Sequence, residues 1–214
     1  MLVLALNTAS AALEAALVRD GDILADARED MARGQDRQLP GFVERLLDEA
    51  GVSLQQVDRI AVVTGPGSFT GIRIGVAYAR GLALVTGAPC IGVTSLESAI
   101  PAGMEGNTLG ALQAQKRPPD QTWWVQGLEG DEGISAPVEV SLGALQAMLE
   151  GFKVPIFMDG AEALGSLAET LDIRPMRPSA ITAALKAPGF DASAHTPAPV
   201  YAREPDATLP GQKP

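Results

Sequence analysis

Two hydrophobic rhythms alternate along the chain. Leu2 to Asn7 is an apolar run that reads as a buried strand, and Ala12 to Arg19 reads as a second strand, joined to the first through the polar break Asn7 to Ser10. Asp20-Gly21 supplies the positive φ values of a type I′ turn, so Ile23 to Glu29 returns as a third antiparallel strand. Between Gln38 and Ala50, the residues Leu39, Phe42, Val43, Leu46, Leu47 and Ala50 fall at helical spacing, with Pro40 in the first turn and Gly51 placed as the stop. Asp58 to Thr64 suits a buried strand, a helix follows from Phe69 to Thr86, and Pro89 to Val93 is another strand. Thr94 with Glu97 matches a capping box and predicts a further helix, which completes the order β-β-β-α-β-α-β-α by Pro101.

Breakers cluster between Pro101 and Asn107, and the boundary between a first lobe, 1–103, and a smaller second lobe, 104–214, is placed there. In the second lobe Thr108 to Ala114 and Thr122 to Leu128 read as strands flanking the turn Arg117-Pro118-Pro119-Asp120. Val154 to Met158 is a strand ending at Asp159-Gly160, and Ser141 to Glu150 and Ala161 to Leu171 are helical. From Ala187 onward Pro and Ala without periodicity predict an irregular tail that folds back on the body or is partly disordered.

Composition sharpens this picture. Hydrophobic residues make up 46% of the 214, but Phe, Trp and Tyr only 4%, so the core is built of Ala, Val, Leu and Ile with closely approaching backbones. Twenty-six acidic against sixteen basic residues give a net charge of -10, which disfavours direct nucleic-acid binding by the chain alone; Lys116-Arg117 and Arg174 to Arg177 are the local basic groupings. The single Cys90 lies in an apolar strand, and the apolar start Met1 to Leu6 is too short for a membrane span or a signal core, so the expected location is the cytoplasm. The single histidine, His195, falls in the Pro-rich tail and reads as a surface residue.

The run Gly65-Pro66-Gly67-Ser68-Phe69-Thr70-Gly71 joins a strand to a helix. Amides at a helix N-terminus are able to cradle an anion. The lysine of a Walker loop and the Rossmann glycine spacing are both missing, so Gly65, Pro66, Gly67 and Ser68 are read preferentially as a tight structural turn. Gly71, Gly75, Ala79 and Ala83 then recur every four residues and leave one helix face nearly bare. Mid-helix glycines cost about 1 kcal/mol each relative to Ala, so a close contact must compensate, either inside the fold or with a partner helix.

The segment Gly65 to Gly75, with Arg80-Gly81-Leu82-Ala83 and Ile91-Gly92-Val93-Thr94-Ser95-Leu96-Glu97, resembles the TsaB family (formerly YeaZ), and Pro199 to Ala207 resembles that family's C-terminal segment. The resemblance implies an α/β fold of the actin-like, Hsp70-like and sugar-kinase (ribonuclease H-like) type, two lobes each with a mixed sheet and flanking helices. It implies a noncatalytic assembly subunit in N6-threonylcarbamoyladenosine synthesis at tRNA position 37. Such a subunit would bind TsaD and recruit the ATPase TsaE, while TsaC supplies the activated threonylcarbamoyl group. Homodimerisation through the same helices is the fallback; tRNA is met only through the complex, and there is no membrane role. ATP and metal are expected on partner subunits, with none bound by this chain alone. The interface would use Leu39, Phe42, Leu46, Gly71, Arg73, Gly75, Val76, Ala79, Arg80 and Ala83.

Superfamily members usually carry Asp at the first hairpin, where this chain has Asn7-Thr8-Ala9-Ser10, so Asn7 reads as a residue capping the turn. Where TsaD has a metal-binding histidine pair, Gly34 to Pro40 has no histidine, which argues against a metal centre or peptidase chemistry. Gln115-Lys116-Arg117 replaces a common Asp-Ala-Arg. Two alternatives remain, a small nucleotide-binding enzyme of the kinase-like superfamily and a homodimeric scaffold.

Overall fold

The computed structural model describes residues 1–31, 33–116 and 120–201. Its first sheet contains β1 (Leu2–Ser10), β2 (Ala12–Arg19), β3 (Asp22–Asp30), β4 (Arg59–Val63) and β5 (Cys90–Val93), in the order β3-β2-β1-β4-β5. The β1–β2–β3 meander is antiparallel, and β4 and β5 add in parallel. Asp20 (φ 53°) and Gly21 (φ 94°) both take the left-handed conformation that the first hairpin needs. β1 is buried along nearly its whole length, which requires cover on both faces.

That cover comes from three helices. α1 (Gln35–Glu49) and α2 (Phe69–Thr86) pack on the Thr8 side of β1, while α4 (Ala180–Lys186) meets β1, β2 and β4 on the Asn7 side. α1 begins three residues before Gln38, because Gln35 is drawn inward and its Nε2 donates to the Ser10 and Ala12 carbonyls at 3.2 and 3.0 Å. The Ala-rich α4 was not expected from the sequence, and its Ala180, Ala183 and Ala184 join the first core.

The second sheet begins at β6 (Asn107–Gln115) and continues with β7 (Thr122–Glu129), β8 (Glu132–Gly133), β9 (Val138–Ser141), β10 (Ile156–Met158) and β11 (Ile173–Pro175). Its order is β11-β10-β6-β7-β8, with β9 also pairing β7. α3 (Leu142–Leu149) covers a core of Trp123, Val125, Leu145, Leu149 and Ile156. The helix expected over Ala161 to Leu171 is instead a 3₁₀ segment, Ala161–Thr170, broken at Gly165 (φ 60°, ψ -134°). Part of the expected turn at Arg117-Pro118-Pro119 and the segment 202–207 lie outside the described residues.

The expected helix after Thr94 is also corrected. The capping box forms, with Thr94 N donating to Glu97 Oε2 (2.7 Å) and Glu97 N to Thr94 Oγ1 (3.0 Å), but it launches only one 3₁₀ turn, Glu97–Ala99. Glu97 is held from the far side as well, since Gly133 N donates to its Oε1 at 2.9 Å, and the chain leaves extended at Ile100.

Residues 187–201 run back over the first sheet. Gly92 N donates to the His195 carbonyl and Val200 N to the Thr64 carbonyl, each at 2.8 Å. His195 is thereby corrected from a surface residue: its side chain is 14% exposed and its ring stacks on Phe190 with centroids 4.0 Å apart. Cys90 sits half-buried on β5, and burial pushes its thiol up to about 11. Only the thiolate is nucleophilic, so alkylation at pH 8 is expected to be about 100-fold slower in the folded protein than in denaturant, as read by mass spectrometry of iodoacetamide adducts.

Candidate functional site

The glycine-rich turn and α2 are fixed by the same neighbour, the end of β1. Ser68 N donates to the Ala9 carbonyl (2.7 Å), Ser68 Oγ accepts from Gly71 N (3.2 Å) as the helix N-cap, and Thr8 Oγ1 donates to the Gly71 carbonyl (2.7 Å). A Cβ on Gly67 would collide with the Ala9 carbonyl, one on Gly71 with the Thr8 carbonyl, and one on Gly75 with Thr8 Oγ1. The bare stripe therefore faces the chain's own sheet. Ser68 N and Gly71 N already have partners within the chain, which favours the turn over the anion cradle.

This geometry redraws the interface expected from the sequence. Leu39, Phe42, Leu46, Val76 and Ala79 are core residues, and Gly71 and Gly75 are buried against β1, so apart from an edge of Leu39 none of the seven offers a free surface to a partner. Ala83 is half-buried, and Arg73 and Arg80 are exposed. Arg73 is engaged within the chain: its guanidinium lies 3.7 Å from the Phe69 ring centre and its Nε donates to Tyr201 Oη at 2.9 Å.

The outward side of α2 is apolar too. Ile74, Ala77, Tyr78, Gly81, Leu82 and Val85, with Asp36 and the edge of Leu39 on α1, line an open groove of about 440 Å³. Beside it Leu84 is 87% exposed and Val85 70% exposed. Burial and the nearby Glu44 carboxylate together push the Tyr78 hydroxyl above its ordinary pKa. Sequence reasoning named the small-residue side of α2, which the fold buries, and passed over this apolar outward side. The signal was present, because Arg73 and Arg80 are the sole charged residues in the eighteen of α2, and a helix apolar all round needs cover on both sides.

A second concavity, a cleft of about 450 Å³, lies between the sheets and is lined by Ser10, Pro66, Gly67, Ser68, Ser95, Gln113, Lys116, Trp124, Asp159 and Pro178 among others. A magnesium–nucleotide does not fit its chemistry. Asn7 is fully buried and turned away into structure, its Nδ2 donating to Glu14 Oε2 (3.1 Å) and its Oδ1 accepting from Ala9 N (3.0 Å), the local cap expected of it. Among the described residues no three His, Cys, Asp or Glu side chains converge to hold a metal. The buried Glu14 is fully used, binding Asn7, Arg28, Ala180 N (3.2 Å) and Arg177 (3.5 Å). Burial raises the pKa of Asp159, and the Gln113 amide partly opposes that shift by donating to its carboxylate.

Two mixed sheets with flanking helices about a central cleft define a fold of the sugar-kinase and actin-like type. The ROK hexokinase of Thermus thermophilus shares this fold with a TM-score of 0.53 at 14% identity, over 87% of this chain and 97% of that one. YeaZ from Pseudomonas aeruginosa aligns with a TM-score of 0.63 at 27% identity, over 94% and 99% of the two chains. In sequence, the TsaB protein of tRNA threonylcarbamoyladenosine biosynthesis from Escherichia coli K12 is 34% identical over 138 residues, 63% of this chain and 58% of that protein. An uncharacterized protein of Mycobacterium tuberculosis H37Rv is 31% identical over 212 residues, 96% of this chain and 93% of its own length. Residues 29–113 match the profile of TsaD, the tRNA N6-adenosine threonylcarbamoyltransferase. The chain belongs to the TsaB (YeaZ) family.

Two substitutions test this geometry. Gly75→Ala is expected to destabilise the fold by about 3 kcal/mol, because the new methyl overpacks a contact between helix and strand; a denaturant titration measures it. Asn7→Asp places a second carboxylate against buried Glu14 and is expected to lower Tm by several degrees, equally with and without magnesium, in calorimetry.

Proposed function

We propose that this chain is the noncatalytic assembly subunit of the machinery that makes threonylcarbamoyladenosine on tRNA, and that the outward α1–α2 face seats a tRNA N6-adenosine threonylcarbamoyltransferase of the TsaD type. The observation that carries the reading is the apolar groove of Ile74, Ala77, Tyr78, Leu82 and Val85, continuous with Leu84, on a helix already buried on its other side. The stretch that matches the transferase profile, 29–113, contains both α1 and α2. Two proteins sharing that helix pair can join like face to like face in a four-helix contact.

The names of the relatives supply the pathway: those called TsaB are biosynthesis proteins of tRNA threonylcarbamoyladenosine. In this reading the subunit is cytoplasmic, ATP and metal reside on partner chains, TsaE joins the pair, and tRNA is met through the assembly. The net charge of -10 and the ion pairs occupying Arg28, Arg174 and Arg177 favour that division of roles. No helix of the described residues is long and apolar enough to cross a membrane.

Ala77→Arg and Val85→Glu place a charge on the exposed groove without touching the core. Each is expected to weaken the complex with the cognate transferase by about 3 kcal/mol, over a hundredfold, while leaving the thermal melt unchanged. Co-expression followed by size-exclusion chromatography reads the outcome, and co-elution of both variants at wild-type yield would refute the placement. Run on the isolated chain, the same column tests homodimerisation: a wild-type dimer that becomes monomeric in both variants uses this face as well.

A further inference from the structure

We propose that the cleft between the two sheets binds a small oxyanion, the carboxylate or phosphate group of a metabolite-sized ligand, without a divalent cation. The cleft is about 450 Å³, ample for such a molecule and bordered by two apolar rims, Ala9-Ala11-Pro66 and Leu112-Ala114-Trp124. Three of its lining residues carry polar atoms that are buried and without a hydrogen-bond partner among the described residues: Ser10 Oγ, Ser95 Oγ and Trp124 Nε1. Ser95 is 1% exposed, so its hydroxyl has no access to bulk solvent in compensation. A buried polar atom left unpaired costs on the order of 1–3 kcal/mol, and three such atoms on residues that line one cavity gain a common partner if an acceptor seated there draws their side chains toward it.

All three can donate a proton, and the indole can do nothing else. A serine hydroxyl turns toward a new partner by one χ1 rotation between staggered wells, so seating an acceptor demands no backbone movement. Lys116 adds an ammonium to the same wall. Against it stands Asp159, the carboxylate of the cleft, whose burial already favours its neutral form. A bound anion would push it further the same way. The donors select an oxyanion, and the absence of three convergent metal ligands among the described residues, with Asn7 committed to Glu14, removes the case for a metal bridge.

Nuclear magnetic resonance of the full chain tests this directly, because its two tryptophans give two indole N–H signals. The Trp123 indole already donates to the Asp159 carbonyl at 3.0 Å, and Trp124→Phe assigns the other signal. Sodium acetate, sodium phosphate and ATP with magnesium are titrated separately, with sodium chloride matching ionic strength. The expected result is a saturable shift of the Trp124 signal with acetate or phosphate, independent of magnesium, the responding salt identifying the ligand group. Ser95→Ala should raise the apparent Kd at least fivefold, and Asp159→Asn, which removes the opposing charge and preserves shape, should lower it. Shifts no larger than those with chloride, an unchanged Kd in both variants, or a response only to ATP with magnesium would each overturn the proposal.

Discussion

The seating of α2 directly on β1 is the contact from which the remaining geometry follows. Thr8 reaches the Gly71 carbonyl through its hydroxyl, and Gly67, Gly71 and Gly75 leave no room for a methyl group between helix and strand. A helix held this close cannot be carried on large side chains, which explains a core built from Ala, Val, Leu and Ile with 4% aromatics. Close seating also leaves the helix's far side protruding, so apolar residues there meet a neighbouring molecule or water. The cost of mid-helix glycine, about 1 kcal/mol at each position, is offset by this contact within the chain.

Polar ties join the two sheets alongside the apolar cluster of Leu96, Ile100, Leu128 and Phe157. Lys186 at the end of α4 is fully buried, with its ammonium 3.4 Å from Asp131 Oδ1 on the β7–β8 turn; burial lowers its pKa, while Asp131 and Glu97 resist the change. Glu97 is bound by Thr94 N and Gly133 N, which links the loop after β5 to β8. Such buried charges contribute little net stability but penalise every arrangement in which a partner is missing. They hold the cleft walls at one spacing, and Glu14 does the same for β1, β3 and the start of α4.

What could be read in advance follows from which interactions are local. The three-strand meander, the Asp20-Gly21 turn and both ends of α2 are encoded by side-chain period and turn chemistry within a few residues, and these agree with the structure. The helical spacing of Leu39, Phe42, Val43, Leu46 and Leu47 was equally plain, but the early start of α1 depends on Gln35 finding carbonyls twenty or more residues away. α4 is seven residues of mostly Ala and takes its stability from the first sheet, a contact invisible to any window around it. His195 looked exposed because its neighbours are polar or small, yet Phe190 and β5 enclose it from a distance in sequence. That the small-residue stripe of α2 packs on β1 was hidden for a related reason: small residues mark close approach without saying to what.

The hydroxyl of Thr8 and the amide of Asn7 point to opposite faces of β1, and together they describe how the chain has used its inheritance of fold. On one face Thr8 locks a helix whose outer side offers apolar area; on the other, Asn7 joins a closed network with Glu14 where a free carboxylate would repel its neighbour. A metal-binding acid at position 7 would have to displace Glu14 or give up the bonds to Arg28, Arg177 and the start of α4. A carboxylate at position 7 and the closed network around Glu14 thus exclude one another, and the network ties β1 to β3 and α4. A rigid sheet presents α1 and α2 at a fixed spacing, and association by shape over an apolar groove depends on that preorganisation.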